Sequence, residues 1–315
     1  MDAATTSPWP ALSYETLGPT CATLQLWTQV VGKVRLAQTP WLNHSWHVPL
    51  YVTARGLSTS LIPHPGGAFD LEFDFVASAL VLRTSAGAEA STPLEPQPVA
   101  SFYGRVMAML KSAGVPVTID TMPSEIAACV AFPDDQAPRI CDPAVARDFW
   151  RALVQADQVF KLFRTGFLGK ASPVHFFWGS FDLAVTRFSG RHAPPHPGGV
   201  PHLPDAVVRE AYSHEVSSAG FWPGGPGFEQ AVFYSYAYPE PPGFRGSVVT
   251  PVAARFDTGL GEFVLPYEAV RAAPDPDAAL LAFLTSTYAA AADSGAWDRG
   301  NLECQLGEPG RPRTV

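Results

Sequence analysis

Cysteine is scarce in this sequence, and its four cysteines are widely separated. Cys21, Cys129, Cys141 and Cys304 form no CxxC pair among the 315 residues. Spacings of this kind do not indicate a disulfide framework. Because disulfides accumulate in oxidising compartments, this pattern favours a reducing cytoplasm.

Positive charge is also sparse. Lysine and arginine together number 21 against 29 aspartate and glutamate residues, which gives a formal net charge of -8, and no basic stripe is present. A nucleic-acid-binding surface offsets phosphate charge with lysine and arginine. An anionic membrane surface attracts the same residues. We therefore predict neither a nucleic-acid partner nor a membrane partner.

Long apolar runs and a secretory leader are both missing. Proline, glycine or charged residues interrupt every apolar run well before the roughly 18 residues that a membrane-spanning helix needs. The first residues, MDAATTSPWPALSYE, contain no basic region followed by an apolar one. We therefore predict a cytoplasmic protein. Its hydrophobic content of 47% is enough for a large buried core.

The motifs of several easily recognised enzyme classes are absent as well. The sequence contains no GxxxxGK[ST] phosphate loop, no GxGxxG after a strand and no GxSxG nucleophile elbow. His214-Glu215 is not followed by a second histidine at the zincin spacing. These absences argue against P-loop, Rossmann-type and zincin enzymes and leave other classes open.

Two hydrophobic periodicities alternate along the chain and predict an α+β fold with antiparallel sheets and long helices packed on them. Apolar residues spaced by three and four predict the helices, and alternation with period two, clearest from Phe69 to Phe75, predicts the strands. The predicted helices are 16–38, 98–113, 143–167 and 275–293. The predicted strands are 48–57, 69–76, 79–84, 115–120, 174–187, 209–221, 230–238, 251–257 and 262–266.

The order of these elements predicts an internal duplication of a helix–strands–helix unit. We divide the chain into a first α+β half, a linker rich in proline and aspartate, a second α+β half and a flexible tail. Their bounds are 1–120, 121–141, 142–298 and 299–315. A shift of 128 residues aligns Val31 with Val159, Lys33 with Lys161 and His47 with His175.

Three segments stand out by their density of histidine and aromatic residues. They are NHSWHVPLYVTARG (43–56), SPVHFFWGSFDLAVTRFSGR (172–191) and AYSHEVSSAGFWPGG (211–225). In these segments the chain resembles a bacterial protein family of unknown function (DUF5996). The resemblance extends from about Trp9 to Asp298. It implies family membership and no particular activity.

One histidine in each segment is a candidate catalytic residue or metal ligand. His47, His175 and His214 stand at or in predicted strands, and we expect them to converge where the two halves meet. Three neutral imidazoles can bind Zn²⁺ or Fe²⁺ and leave a position open for water or substrate. His44 could replace or orient one of them. The alternatives are a metal-free polar pocket with the same histidines, and buried histidines with purely structural roles.

Asp182 is the fourth candidate catalytic residue. It is predicted to share a strand face with Trp178 and Ser180, and a buried carboxylate there requires a partner. An arginine or the amine of a substrate could be that partner, although a hairpin bend at this position would explain the aspartate equally well. The residues predicted to line the pocket and contact substrate are Trp46, Tyr51, Arg55, Trp178, Glu215 and Trp222.

Two functional interpretations follow from these residues. The first is an enzyme that acts on a small polar metabolite in a cleft between the halves, with the histidines as metal ligands or acid–base groups. The second is a non-catalytic protein that binds a small molecule in the same pocket. Metal content and turnover would distinguish the two.

Overall fold

The longest helix, α1 (Tyr14–Gln38), lies at the centre of the molecule. The computed structural model describes residues 8–313, so the first seven residues and the last two residues of the predicted tail lie outside it. From Thr20 to Arg35 nearly every side chain of α1 is buried, because the helix packs against strand β3 and helices α2 and α3. Its predicted bounds were correct to within two residues.

The remaining helices include the three others that the apolar periodicity predicts, at 98–113, 143–167 and 275–293. They are α2 (Val99–Ser112), α3 (Pro143–Thr165), α4 (Asp205–Ala211), α5 (Tyr267–Arg271), α6 (Pro276–Ser294) and α7 (Arg299–Leu302). Asp142 caps α3 by accepting hydrogen bonds from the backbone N–H groups of Ala144 and Val145. Asp275 caps α6 in the same way through Ala278.

The strands form two antiparallel six-stranded sheets. The first contains β1 (Tyr51–Val52), β2 (Gly56–Ser58), β3 (Ile62–His64), β4 (Gly67–Asp74), β5 (Ala79–Thr84) and β6 (Glu89–Pro93). The second contains β7 (His175–Phe177), β8 (Asp182–His192), β9 (His214–Trp222), β10 (Val232–Tyr238), β11 (Arg255–Asp257) and β12 (Glu262–Pro266). The predicted α+β class with antiparallel sheets is confirmed.

Several predicted strands are shorter or divided. The segment predicted as one strand at 48–57 is a tight hairpin of β1 and β2, and 174–187 is divided between β7 and β8. A turn with Phe181 in the left-handed region (φ 63°) separates β7 from β8. Trp178, Ser180 and Asp182 therefore do not share a strand face, and Asp182 is the first residue of β8 after a bend. Residues 209–211 end a helix, and 115–120 form no strand.

The two sheets meet edge to edge. The backbone N–H of Leu50 donates to the carbonyl of Phe176 at 2.8 Å, and the N–H of Phe176 donates to the carbonyl of Leu50 at 2.7 Å. This antiparallel bridge places the edge beside β1 against β7. One apolar core, with buried residues from both halves, continues across the junction.

Internal duplication is not confirmed. The first sheet has the order β1-β2-β4-β5-β6, with β3 paired to β4, whereas the second has the order β7-β8-β9-β10-β12-β11. The segment predicted as a linker packs on both helices of the first half: Ser124 exchanges hydrogen bonds with Gln29 on α1, and Asp135 accepts one from Ala100 on α2. Within residues 8–313, no helix is long and apolar enough to cross a membrane.

Candidate functional site

His47 and His175 both lie near the junction of the two sheets. His47 is buried after a short 3-10 turn; its ring packs on Trp41 at 4.5 Å, and its Nδ1 lies 3.2 Å from the backbone of Leu42. His175 opens β7 and is 1% exposed. The Nε2 of His47 and the Nδ1 of His175 are buried without a hydrogen-bond partner in the described chain.

The buried guanidinium of Arg35 is the charge that both histidines share. Arg35 donates a hydrogen bond to the carbonyl of Pro49 and lies 5.2 Å from the centre of the Tyr51 ring. Burial, followed by the charge of Arg35, lowers the pKa of both imidazoles, that of His175 to about 3. His175 is therefore neutral at pH 7 and does not titrate there.

His214 belongs to a different group of side chains. Its ring lies 4.5 Å from that of His192 and 5.9 Å from that of His44, whereas no ring contact within residues 8–313 joins it to His47 or His175. No group of three or more His, Cys, Asp and Glu side chains in the described chain is placed to hold a metal ion.

The predicted pocket-lining aromatic residues are dispersed. Trp178 is buried against Gly32 of α1, and its indole N–H donates to the carbonyl of Val48 at 2.9 Å, which ties the two halves together. Trp46 lies over Lys170, and Trp222 packs on Phe228 near the other end of β9. Among these predicted aromatic residues, Tyr51 contacts Arg35.

The predicted charged residues of the pocket are held in ion pairs. Arg55 binds Asp74 at 2.6 Å on the first sheet, and Glu215 binds Arg191 at 2.7 Å on the second. Lys33 on α1 is buried and paired with Asp120 at 2.7 Å.

Asp182 leads to a cluster that the sequence did not reveal. Directly paired residues of antiparallel strands point to the same side of a sheet. The register pairs Ala184, Gly220 and Tyr234 across β8, β9 and β10, and the opposite side carries the apolar side chains that pack on α3 and α6. We call the first side the polar face. Its polar residues are Asp182, Thr186, Ser218, Tyr234, Tyr236 and Glu262.

Hydrogen bonds connect the polar face across three strands. Asp182 accepts from the hydroxyls of Ser180 and Tyr234. Tyr234 reaches Asp182 by crossing over Gly220, where any Cβ would overlap with its hydroxyl. Farther along, Tyr236 shares a hydrogen bond of 2.8 Å with Tyr212, a residue that precedes β9. The glycine opposite a tyrosine is the sequence signal that could have indicated this arrangement.

Three carboxyl groups meet at this cluster. Glu125, from the segment predicted as a linker, lies against Gly179 with its backbone in the left-handed region (φ 64°). Burial and the charge of Asp182 raise the pKa of Glu125 to about 7 and that of Glu262 to about 8, and burial raises the pKa of Asp182 itself. Within residues 8–313, none of the three forms an ion pair.

The raised pKa of Glu262 predicts how the stability of the folded protein depends on pH. Since the folded state keeps this carboxyl protonated up to about pH 8 while the unfolded chain ionises it near 4.5, stability should fall as pH rises between those values. Glu262→Gln should remove part of that loss. We expect the variant to lose roughly 1–3 kcal/mol less unfolding free energy than wild type between pH 5 and pH 9, a range that allows for solvent screening of a half-exposed group. Urea denaturation at both pH values measures it.

The matched control for this prediction is Glu229→Gln, because Glu229 is exposed and forms no ion pair within residues 8–313. It should leave the difference between pH 5 and pH 9 unchanged. Equal pH dependence in wild type and Glu262→Gln would show that the Glu262 carboxyl ionises normally in the folded protein.

Two cavities are the best defined in the described chain, and neither is lined by His47, His175 or His214. A cavity of about 340 Å³ lies between the turn at Ala54 and helix α3 at Trp150. Another, of about 260 Å³, lies between Glu215 and the end of α6. In the carboxyl cluster, Glu125 and Glu262 are half-exposed and Asp182 is buried.

These features define an α+β protein in which two antiparallel sheets join edge to edge, with carboxyl and tyrosine side chains gathered on one face. The chain belongs to a family of unknown function (DUF5996), whose model matches residues 9–304. The resemblance inferred from the sequence is thereby confirmed. No curated protein and no solved structure matches the chain.

Proposed function

We propose that this protein is an enzyme that acts on a small polar molecule with a basic nitrogen, bound at the carboxyl cluster of the polar face. The observation that carries the proposal is the meeting of Glu125, Asp182 and Glu262 without an ion pair in the described chain. Grouped carboxylates raise one another's pKa, and a cationic ligand relieves that repulsion. A substrate amine is one of the partners inferred for Asp182 from the sequence.

The neighbouring groups suit acid–base chemistry. Glu125 and Glu262, with pKa values of about 7 and 8, can each give or take a proton at neutral pH. Carboxyls whose surroundings separate their pKa values commonly divide the roles of acid and base. The hydroxyls of Tyr212 and Tyr236 supply hydrogen-bonding groups beside them, with an aromatic wall for the ligand.

The histidines enter this proposal in a reduced role. His214 is grouped with His44 and His192, and His47 and His175 lie near Arg35. The metal-free alternative therefore has better support than binding of Zn²⁺ or Fe²⁺. Elemental analysis of protein purified without a histidine tag tests it, and one equivalent of bound zinc or iron would return the metal hypothesis.

Binding of amines tests the proposed ligand class. Putrescine, 1,4-butanediol and succinate have the same four-carbon length and differ in charge. Titration calorimetry at pH 7 should give binding of putrescine alone, with a loss of at least tenfold in affinity for Asp182→Asn, because one uncompensated charge–charge contact removed is worth about 1.4 kcal/mol or more. Asp134→Asn, an exposed acid elsewhere, is the control. Equal binding of putrescine and butanediol would contradict the proposal.

The alternative function is a non-catalytic binding protein with the same ligand. The polar face favours it in one respect, because a hydrogen-bonded wall of tyrosines and carboxyls is sufficient for recognition without any nucleophile. Proton NMR of an amine mixture incubated with catalytic amounts of protein separates the two. Loss of an amine's signal at a rate proportional to the protein concentration indicates an enzyme. Saturable broadening of its lines without new signals indicates a binding protein.

A further inference from the structure

A lysine in an unusual setting lies beside Phe188 of β8, whose backbone N–H donates to the Lys170 carbonyl at 3.0 Å. Lys170 is one of only four lysines in the chain. Its Nζ lies 5.2 Å from the centre of the Trp46 ring and 5.0 Å from that of Phe188. Its nearest polar partner is an imidazole, His44 Nε2, at 2.6 Å. No carboxylate pairs with Lys170 within residues 8–313.

The protonation of His44 follows from its other contact. His44 Nδ1 lies 2.9 Å from the carbonyl oxygen of Ala211, which can only accept, so Nδ1 carries the hydrogen. Burial lowers the pKa of His44, and a neutral ring protonated at Nδ1 presents a free lone pair at Nε2. The atom that faces Lys170 is therefore a proton acceptor.

These contacts reproduce the arrangement of an activated nucleophile. Such sites combine a nucleophile, a base within hydrogen-bond reach and a third group that orients the base. Here the three are Lys170 Nζ, His44 Nε2 and the carbonyl of Ala211. Although Lys170 is exposed overall, partial burial of its ammonium group lowers its pKa, and the carboxylate of Glu210 opposes that change.

We propose that Lys170 is a reactive amine that forms an imine with a small aldehyde or ketone, with His44 as its base. This activity is independent of the carboxyl cluster. In the step, the Nζ lone pair attacks the carbonyl carbon, and a proton passes from Nζ through His44 to the oxygen, which gives a carbinolamine. The second Nζ proton follows the same route, the C–O bond breaks and water leaves. The nitrogen lone pair completes the C=N bond.

The other lysines provide internal controls. Lys111 is exposed and forms no ion pair with any described residue, Lys161 is paired with Asp157 at 2.6 Å, and Lys33 is buried against Asp120. Only Lys170 combines exposure of the residue with an uncharged base at its amine, among the lysines of the described chain. Relative reactivity within one molecule therefore separates activation from simple access.

The test is reductive alkylation of the full chain with propanal and cyanoborohydride at pH 7, with each lysine quantified by peptide mass spectrometry. Lys170 should react several-fold faster than Lys111, because a lowered pKa and a base at the amine both increase the fraction of neutral, nucleophilic amine at pH 7. His44→Gln should bring Lys170 to the rate of Lys111. Glu210→Gln should raise the rate at Lys170, because the anion that favours the ammonium form is gone.

Measurement of the wild-type protein alone can overturn the inference. Equal rates at Lys170 and Lys111 in the wild-type protein would show an ordinary surface amine. If Lys170 is fast but His44→Gln, with an unchanged circular dichroism spectrum, reacts equally fast, the assignment of His44 as base is wrong. Neither result bears on amine binding at Asp182, which is measured separately by calorimetry.

Discussion

Replacing Phe160 by alanine is expected to lower the free energy of unfolding by about 3–5 kcal/mol, the range for truncation of a buried aromatic residue. Phe160 lies on α3, is fully buried, and meets Phe233 of the second sheet edge to face at 6.3 Å. The substitution removes that contact and leaves a cavity that rigid helix–sheet packing cannot fill. Urea denaturation followed by circular dichroism measures the change.

The control lies two residues along the same helix. Leu162 is 38% exposed, so Leu162→Ala removes less buried surface than Phe160→Ala and should cost about 1 kcal/mol. A loss below about 1 kcal/mol for Phe160→Ala would mean that the apolar side of α3 does not pack on the second sheet in solution.

Acid destabilisation controlled by His175 is the second large effect that we expect. Burial and the charge of Arg35 lower its pKa from an ordinary 6.5 to about 3 in the folded protein. Between these values the unfolded chain binds a proton that the folded protein does not. The stability present above pH 6.5 is therefore lost progressively as pH falls towards 3, by up to roughly 3–5 kcal/mol from this one group.

Comparison of His175→Gln with wild type isolates that contribution, because glutamine does not titrate. The difference in unfolding free energy between the two proteins should shift in favour of the variant as pH falls from 7 to 4. His202→Gln, at an exposed loop position, should follow the wild-type curve. A constant difference between wild type and His175→Gln at every pH would show that His175 gains a proton in the folded protein as easily as in the unfolded chain.

Local sequence signals predicted the helices well. For α3, Asp142 and Pro143 mark its start and a regular apolar stripe runs to its end, and the helix lies at Pro143–Thr165 against a predicted 143–167. The hairpin of β4 and β5 was also visible, because alternation in β4 is uninterrupted from Phe69 to Phe75 and an apolar run from Ala79 to Leu82 follows it closely. These elements are determined by neighbours within a few residues, which is the range that periodicity detects.

The carboxyl cluster could not be predicted, because it depends on pairing between distant segments. Asp182 was a candidate, but Glu125 lies in a segment that reads as a linker, and Glu262 is one acidic residue in a short strand. The register of β8, β9, β10 and β12 brings Asp182 and Glu262 to one face, and Glu125 approaches from a loop against Gly179. Sequence alternation shows that a strand has two sides without showing which strand lies beside it.

The histidines show the same limit of prediction from sequence. His47, His175 and His214 were expected to converge, whereas His47 and His175 lie near Arg35, which carried no functional signal in the sequence, and His214 lies with His44 and His192. His44 was considered as a residue that replaces or orients one of the three histidines, yet its bond to Lys170 depends on a lysine 126 residues away.

The bridge between Leu50 and Phe176 has a consequence for any attempt to produce the halves separately. Unpaired strand edges invite pairing with other chains and so promote aggregation. In the intact protein each half covers an edge of the other through that bridge, and Trp178 adds a side-chain bond to Val48 beside it. A fragment ending in the segment at 121–141 would expose the edge beside β1, and its complement would expose β7. The two halves therefore protect each other from self-association as well as sharing a core.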